Sequence, residues 1–190
     1  MRIITGSAKG RRLMAPDTDK TRPATDRVRE AVFSAIGQWV VDADVVDLYA
    51  GSGSYGLESL SRGAASATFV EKGRAAIEAL RSNVETVGLG GTIIASDVET
   101  FLANPGRSSY DLAFIDPPWS LPTDALDGQL AALDQVMDGG GEVVVSRREG
   151  DRSPRIPSGW RVVTDRRYGD ARIYRYRKET AQTKASEDDQ

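Results

Sequence analysis

The stretch Val45 to Gly56, V-V-D-L-Y-A-G-S-G-S-Y-G, constrains what this chain can fold into more than any other. An apolar run meets an acid at Asp47 and breaks into Gly51, Gly53 and Gly56, and a helix-like stretch Leu57 to Arg62 follows. Strand, tight turn and helix therefore come in that order. Glycine permits φ > 0 and lets a ligand approach the backbone closely, so a glycine-rich turn behind a first strand reads as a nucleotide-binding loop. The letters satisfy G-x-G-x-x-G, with Glu71 twenty residues past Gly51. A dinucleotide-binding dehydrogenase is one reading of that pattern.

Asp47 argues for a different ligand. A dinucleotide puts an anionic pyrophosphate at this turn, where a carboxylate a few ångströms away repels it. S-adenosylmethionine carries no phosphate; its sulfonium and ammonium are cationic and are drawn to an acid beside the loop. The alternative is that Asp47 only caps the turn.

At 190 residues, 39% hydrophobic and 28% charged, the chain has the size and composition of one soluble domain with a sizeable core. It contains no cysteine and no histidine. Disulfides, thiolate metal sites and Ser-His-Asp catalysis are thereby excluded, leaving carboxylates, hydroxyls, backbone groups and aromatics as reactive parts. No metal is expected. Nothing reads as a membrane span or a secretory signal, so a cytoplasmic location is expected. The net charge of −3 is unevenly spread: residues 1–30 hold eight basic and four acidic side chains, residues 147–178 eleven and four, and residues 31–146 five and sixteen. If the basic ends meet, they form a cationic surface suited to a polyanion. The RNA-binding candidates are Arg2, Lys9, Arg11, Arg12, Arg22, Arg27, Arg29, Arg147, Arg148 and Arg172.

Arg2–Thr5 and Arg11–Met14 read as a short basic hairpin, residues 18–25 as a loop, and Thr25-Asp26 as the cap of a helix with apolar positions Val28, Val32, Phe33, Ile36 and Trp39. Arg27 and Arg29 stand at that helix's positive end, which points either to an anionic partner or to a pair with Asp26 or Glu30. Strands follow at Ser66–Glu71, Thr92–Ala95, Tyr110–Ile115, Glu142–Ser146, Trp160–Thr164 and Arg172–Tyr176, with helices at 74–87, 98–102 and 124–137. The alternation predicts an α/β fold: a seven-stranded, mainly parallel sheet with helices on both faces and an antiparallel hairpin at one edge. Residues 1–24 are expected to be an amino-terminal extension, 25–178 the main domain, and 179–190 a disordered tail.

Asp47, Glu71, Asp97 and Asp116 each fall at or near the carboxyl end of a successive strand, the edge where open α/β sheets bind ligands. The last opens Asp116-Pro117-Pro118-Trp119. Prolines fix φ and donate no N–H, so this turn is rigid and rich in acceptors. A carboxylate and a carbonyl can hold the two hydrogens of an exocyclic amine while an indole stacks on the base, a contact worth about 1–3 kcal/mol.

These residues resemble the class I S-adenosylmethionine-dependent methyltransferases with a (D/N)-P-P-(Y/F/W) motif, and within them the RsmD-like family of bacterial 16S ribosomal RNA guanine-N2 methyltransferases. The likeness rests on Arg2-Ile3-Ile4-Thr5-Gly6, the stretch R-P-A-T-D-R-V-R-E from Arg22, D-L-Y-A-G-S-G from Asp47, Gly56-Leu57-Glu58, L-S-R-G-A from Leu60, Phe69-Val70-Glu71, Asp116-Pro117-Pro118-Trp119 and Tyr168-Gly169-Asp170. It covers the chain to about residue 178. Trp119 stands where Tyr or Phe is usual, and Tyr49 and Tyr55 also depart from the pattern.

The resemblance implies a Rossmann-like methyltransferase fold with S-adenosylmethionine as cofactor. Asp47, Gly51 and Gly53, with Tyr49 and Ala50, would lie along its methionine part. Glu71, beside Lys72, would hold the ribose, and Asp97 with Val98 would meet the adenine. Asp116 and Pro117, with Pro118, would grip the guanine amine beneath Trp119. The partner implied is 16S ribosomal RNA in the small subunit or an assembly intermediate, the protein acting as a monomer. A DNA adenine N6-methyltransferase shares D-P-P-x, and a non-catalytic RNA-binding assembly factor could keep the fold; both are carried as alternatives.

Overall fold

The structure, a computed structural model, describes residues 1–16, 26–106 and 109–180. The first compact unit spans Met1–Val98. It contains α1 (Asp26–Ile36), a 3-10 turn (Gly37–Val40), β1 (Asp44–Leu48), α2 (Ser54–Ser61), β2 (Ser66–Glu71), α3 (Arg74–Val87) and β3 (Thr92–Ala95). β2 pairs in parallel with β1 on one side and β3 on the other. Parallel strands buried on both faces need continuous apolar runs, and Val45, Val46, Leu48, Phe69 and Val70 are all fully buried.

α4 (Val98–Ala103) leads into the second unit, Glu99–Gln190, which holds β4 (Tyr110–Ile115), α5 (Thr123–Leu133), a 3-10 turn (Asp134–Val136), β5 (Met137–Arg148), β6 (Trp160–Tyr168) and β7 (Ala171–Lys178). β4 and β5 run parallel, with Ile115 beside Val145, while β7 pairs antiparallel with both β5 and β6. The core of this unit is Leu112 to Ile115, Leu126, Leu130, Leu133, Val143 and Val145. All seven strands belong to one mixed sheet in the order β3-β2-β1-β4-β5-β7-β6, the α/β architecture that the alternation of elements predicts. Among the described residues no helix is long and apolar enough to cross a membrane.

Several boundaries differ from the sequence reading. α2 begins at Ser54 rather than Leu57, so Gly56 lies inside a helix. A Cβ at Gly56 would stand 2.4 Å from Cε1 of Phe69, so the third glycine of the pattern serves close helix–strand packing. α1 ends at Ile36, and Trp39 is exposed in the 3-10 turn. The helix expected to reach residue 137 stops at Leu133, because Met137 begins β5.

The amino-terminal hairpin consists of a single bridge between Arg2 and Arg12 rather than two regular strands. α2 supplies several of its anchors. Glu58, fully buried, accepts the N–H groups of Ile4 (2.7 Å) and Thr5 (3.1 Å), and the Ser61 hydroxyl donates to the Thr5 carbonyl (2.6 Å) and accepts from the Ala8 N–H (3.0 Å). Gly6 passes over the end of α2 at φ +88°, where a Cβ would lie 1.7 Å from the Ser61 carbonyl oxygen. Gly6→Ala is therefore expected to dislodge residues 3–13 and to cost about 2 kcal/mol or more in urea denaturation, with faster amide exchange confined to that segment at first.

Candidate active site

The glycine loop is held by two carboxylates. Asp47 is 1% exposed, and its Oδ2 accepts the Gly56 N–H at 2.9 Å, capping the first turn of α2 from the strand below. This is the turn-capping reading of Asp47. At that burial it acts through the loop it pins, and its negative charge sits beneath the helix's positive end. Glu71 closes the other side: its Oε2 accepts the Gly51 N–H (2.9 Å), and its Oε1 accepts those of Lys72 (2.9 Å) and Gly73 (2.7 Å). A carboxylate takes about four hydrogen bonds, so Glu71 retains room for a ligand hydroxyl.

Between these acids the backbone runs through Tyr49 at φ +62°, Gly51 at +56° and Gly53 at +79°. A non-glycine residue in that region is strained, and such strain concentrates at binding loops. Ala50 is buried, its N–H bonded to the Val70 carbonyl at 3.0 Å. Beside Gly51 a Cβ would meet only the Tyr49 carbonyl, at 3.9 Å, so this part of the loop is open. Asp97 is half-buried just past β3, and Val98 after it is buried. An open loop backed by acids fits a cationic ligand and repels a phosphate.

In the second unit, β4 delivers Asp116 half-buried, Pro117 buried, and Pro118 and Trp119 exposed. The Leu121 N–H donates to the Pro118 carbonyl at 2.8 Å, closing a tight turn with Trp119 inside it. Burial raises the Asp116 carboxyl and a hydrogen bond with the Ser146 side chain offsets part of that, leaving it at about 6. The Arg148 guanidinium stands 5.9 Å from the centre of the Trp119 ring.

The arginines divide sharply by environment. Arg2, Lys9, Arg12, Arg27 and Arg148 are exposed, and Arg22 lies outside the described residues. Arg29 is completely buried: its Nη2 donates to the Arg2 carbonyl and to Asp26 Oδ1 (3.1 Å). Arg147, 2% exposed, donates to the Leu121 carbonyl (2.9 Å) and to Asp151 Oδ2 (2.8 Å). Neither offers its charge to an external polyanion, which corrects the expectation for these two. Arg11 caps α3 by donating to the carbonyls of Thr86 and Val87, both at 2.6 Å. Arg172 is partly exposed and gripped by Asp165 at 2.6 and 2.8 Å.

The sequence reading did not single out Glu58, Ser61 or Asn83. Asn83, 1% exposed, bonds both backbone groups of Met14 (2.7 and 2.9 Å) and the Ser52 carbonyl (2.9 Å), tying the amino terminus to the glycine loop. A polar residue on the buried stripe of α3, between Leu80 and Val87, was the available signal.

A family model described as "Conserved hypothetical protein 95" matches residues 1–177. The chain belongs to this family. Ribosomal RNA small subunit methyltransferase D of Escherichia coli strain K12 is 43% identical over 120 residues, which are 63% of this chain and 60% of that protein. The match thus spans about three-fifths of that relative's length. The putative rRNA methyltransferase YlbH of Bacillus subtilis strain 168 is 36% identical over 163 residues, 83% of this chain and 86% of that one. Among solved structures, the putative methyltransferase yhhF from Escherichia coli superposes with a TM-score of 0.83 at 31% identity, covering 95% of this chain and 98% of its own. The resemblance carried by the glycine loop and the D-P-P-W turn is borne out at the level of the family.

Proposed function

We propose that this protein transfers a methyl group from S-adenosylmethionine to the exocyclic N2 amine of a guanine in 16S ribosomal RNA, within the small subunit or an assembly intermediate of it. The observation that carries the proposal is the Asp116–Trp119 turn: a half-buried carboxylate, rigid prolines and an exposed indole at the end of β4. The relatives' names, ribosomal RNA small subunit methyltransferase D and putative rRNA methyltransferase, support the same substrate class.

When bound, S-adenosylmethionine supplies an electrophilic methyl on a sulfonium. Asp47 and Glu71 hold the glycine loop against which the cofactor would lie, and Asp97 with the Val98 backbone would meet its adenine. Asp116 and the Pro117 carbonyl accept the two N2 hydrogens. That favours a pyramidal nitrogen whose lone pair is released from the guanine ring. Trp119 stacks on the base and offsets part of the few kcal/mol needed to unstack it. In-line positioning contributes roughly 7–11 kcal/mol in favourable intramolecular cases, so a strong base is not required. The proton left on nitrogen passes to Asp116 or to water, and a carboxyl titrating near 6 is suited to take it and release it.

The test supplies labelled methyl donor to small subunits from cells lacking the protein and, in a parallel reaction, to duplex DNA, followed by mass spectrometry of the nucleosides. N2-methylguanine is expected. N6-methyladenine in DNA instead would favour the adenine-specific alternative, and no transfer at all would favour the assembly factor. Asp116→Ala is expected to lose turnover while S-adenosylhomocysteine still raises its melting temperature. The wild-type rate should fall as pH drops through about 6, where protonated Asp116 no longer accepts both ways. Affinity for RNA should fall roughly a thousandfold between 50 and 200 mM salt if about six phosphates are contacted. Arg2, Lys9, Arg12, Arg27, Arg161, Arg166 and Arg167 are exposed and available for those contacts.

A further inference from the structure

Three consecutive residues at the end of β5 touch the D-P-P-W loop. Because Ile115 of β4 lies beside Val145 of β5, the chain leaving β4 at Asp116 runs alongside Ser146, Arg147 and Arg148. Successive side chains of a strand point to opposite faces, so a loop touched by three in a row wraps around the strand's end. Ser146, 7% exposed, hydrogen-bonds the Asp116 side chain. Arg147 holds the far end of the loop through the Leu121 carbonyl. Its Nε and Nη1 have no hydrogen-bond partner among the described residues. Arg148 lies over the Trp119 ring, and tryptophan is the aromatic residue that binds cations best.

We infer that Ser146 and Arg148 are positioning residues for methyl transfer: Ser146 sets the orientation of the Asp116 carboxylate, and Arg148 covers one face of Trp119 so that the base takes the other. The inference rests on the guanine methylation proposed above. A carboxylate free to rotate about its side-chain bonds presents its acceptor lone pairs to the amine only part of the time. One oxygen held by a buried hydroxyl leaves the other aimed. An indole approached by a guanidinium on one side is likewise restricted to a single stacking surface, which makes the site selective for a base delivered from one direction.

The test measures single-turnover rate and KM on small subunits for wild type, Ser146→Ala, Ser146→Thr, Arg148→Ala, Trp119→Ala and the Arg148→Ala/Trp119→Ala double variant. Melting temperature and S-adenosylhomocysteine binding are recorded for each. Ser146→Ala is expected to lower the maximal rate roughly tenfold to a hundredfold, the range for a hydrogen bond to a charged group, while KM stays within about twofold. Ser146→Thr, which keeps the hydroxyl, should recover most of the rate. Arg148→Ala should lower kcat/KM about twofold to fivefold, as an exposed cation–π contact implies, and add nothing once Trp119 is removed. Wild-type turnover by Ser146→Ala overturns the first assignment. An Arg148→Ala loss that persists without Trp119 and lowers the salt slope of RNA binding by about one makes Arg148 a phosphate contact and overturns the second. Should the wild type form no N2-methylguanine, the function itself fails; normal methylation by wild type and variants alike sinks only this inference.

Discussion

Asp116→Asn is expected to yield a protein that melts higher than the wild type and transfers no methyl groups. The asparagine is nearly isosteric but presents an NH2 where the substrate amine needs an acceptor, so two donors face each other and the nucleophile is not oriented. Stability moves the opposite way. The folded carboxyl titrates near 6 against 3.8 when unfolded, so the folded state binds its proton more tightly than the unfolded chain does. Its contribution is fully present below about pH 4 and is lost as pH rises through 6. At pH 7.5 the ionised group therefore costs up to about 3 kcal/mol, less whatever solvent reaches a half-buried side chain. Removing that cost should raise the melting temperature by roughly 4–8 °C at pH 7.5 and by almost nothing at pH 4. Calorimetry at the two pH values checks this. An equal shift at both would mean that Asp116 is not a strained carboxylate.

Glu142→Ala is expected to produce the largest loss of stability of any single change considered. The Glu142 side chain, 1% exposed on β5, accepts from Arg175 (3.1 and 2.6 Å) through one oxygen and from Arg177 (2.9 Å) through the other. Arg177 also reaches it with Nη2, and the two residues are direct cross-strand partners. Without the carboxylate, Arg175, itself buried, and Arg177 lose the buried anion they share, a loss that costs about 3–5 kcal/mol. For a chain of this size that is a drop of roughly 6–20 °C in melting temperature. Replacing Glu142, Arg175 and Arg177 together by leucine removes the charges as well as the pairing, and should restore most of that loss. A Glu142→Ala protein melting within 2 °C of wild type would show that the cluster contributes nothing.

Both predictions concern groups that the sequence places but does not describe. Asp116 was legible as the acid ending an apolar strand, whereas its half-burial and the Ser146 hydroxyl beside it follow only from the β4–β5 register. Arg29 and Arg147 count as basic residues in any tally of charge, yet one sits on the buried stripe of α1 and the other behind a loop. Glu58 looks like an ordinary helix surface residue until the amino-terminal backbone, 54 positions earlier, is found bonded to it. Gly56 reads as part of a loop because glycine disfavours helix, and contact with Phe69 overrides that preference.

The sequence by itself determined the order of strands and helices, the glycine loop, the stiffness of the two-proline turn and the family. Each of these depends on local chemistry: apolar runs for strands buried on both faces, free φ at glycine, fixed φ at proline. Only the tertiary structure decided which charges face solvent and which hold the machinery together. Whether Asp47, Arg29, Glu58, Glu142 or Arg147 meets water depends on groups brought to it by folding from elsewhere in the chain, and no periodicity in the sequence encodes that distance.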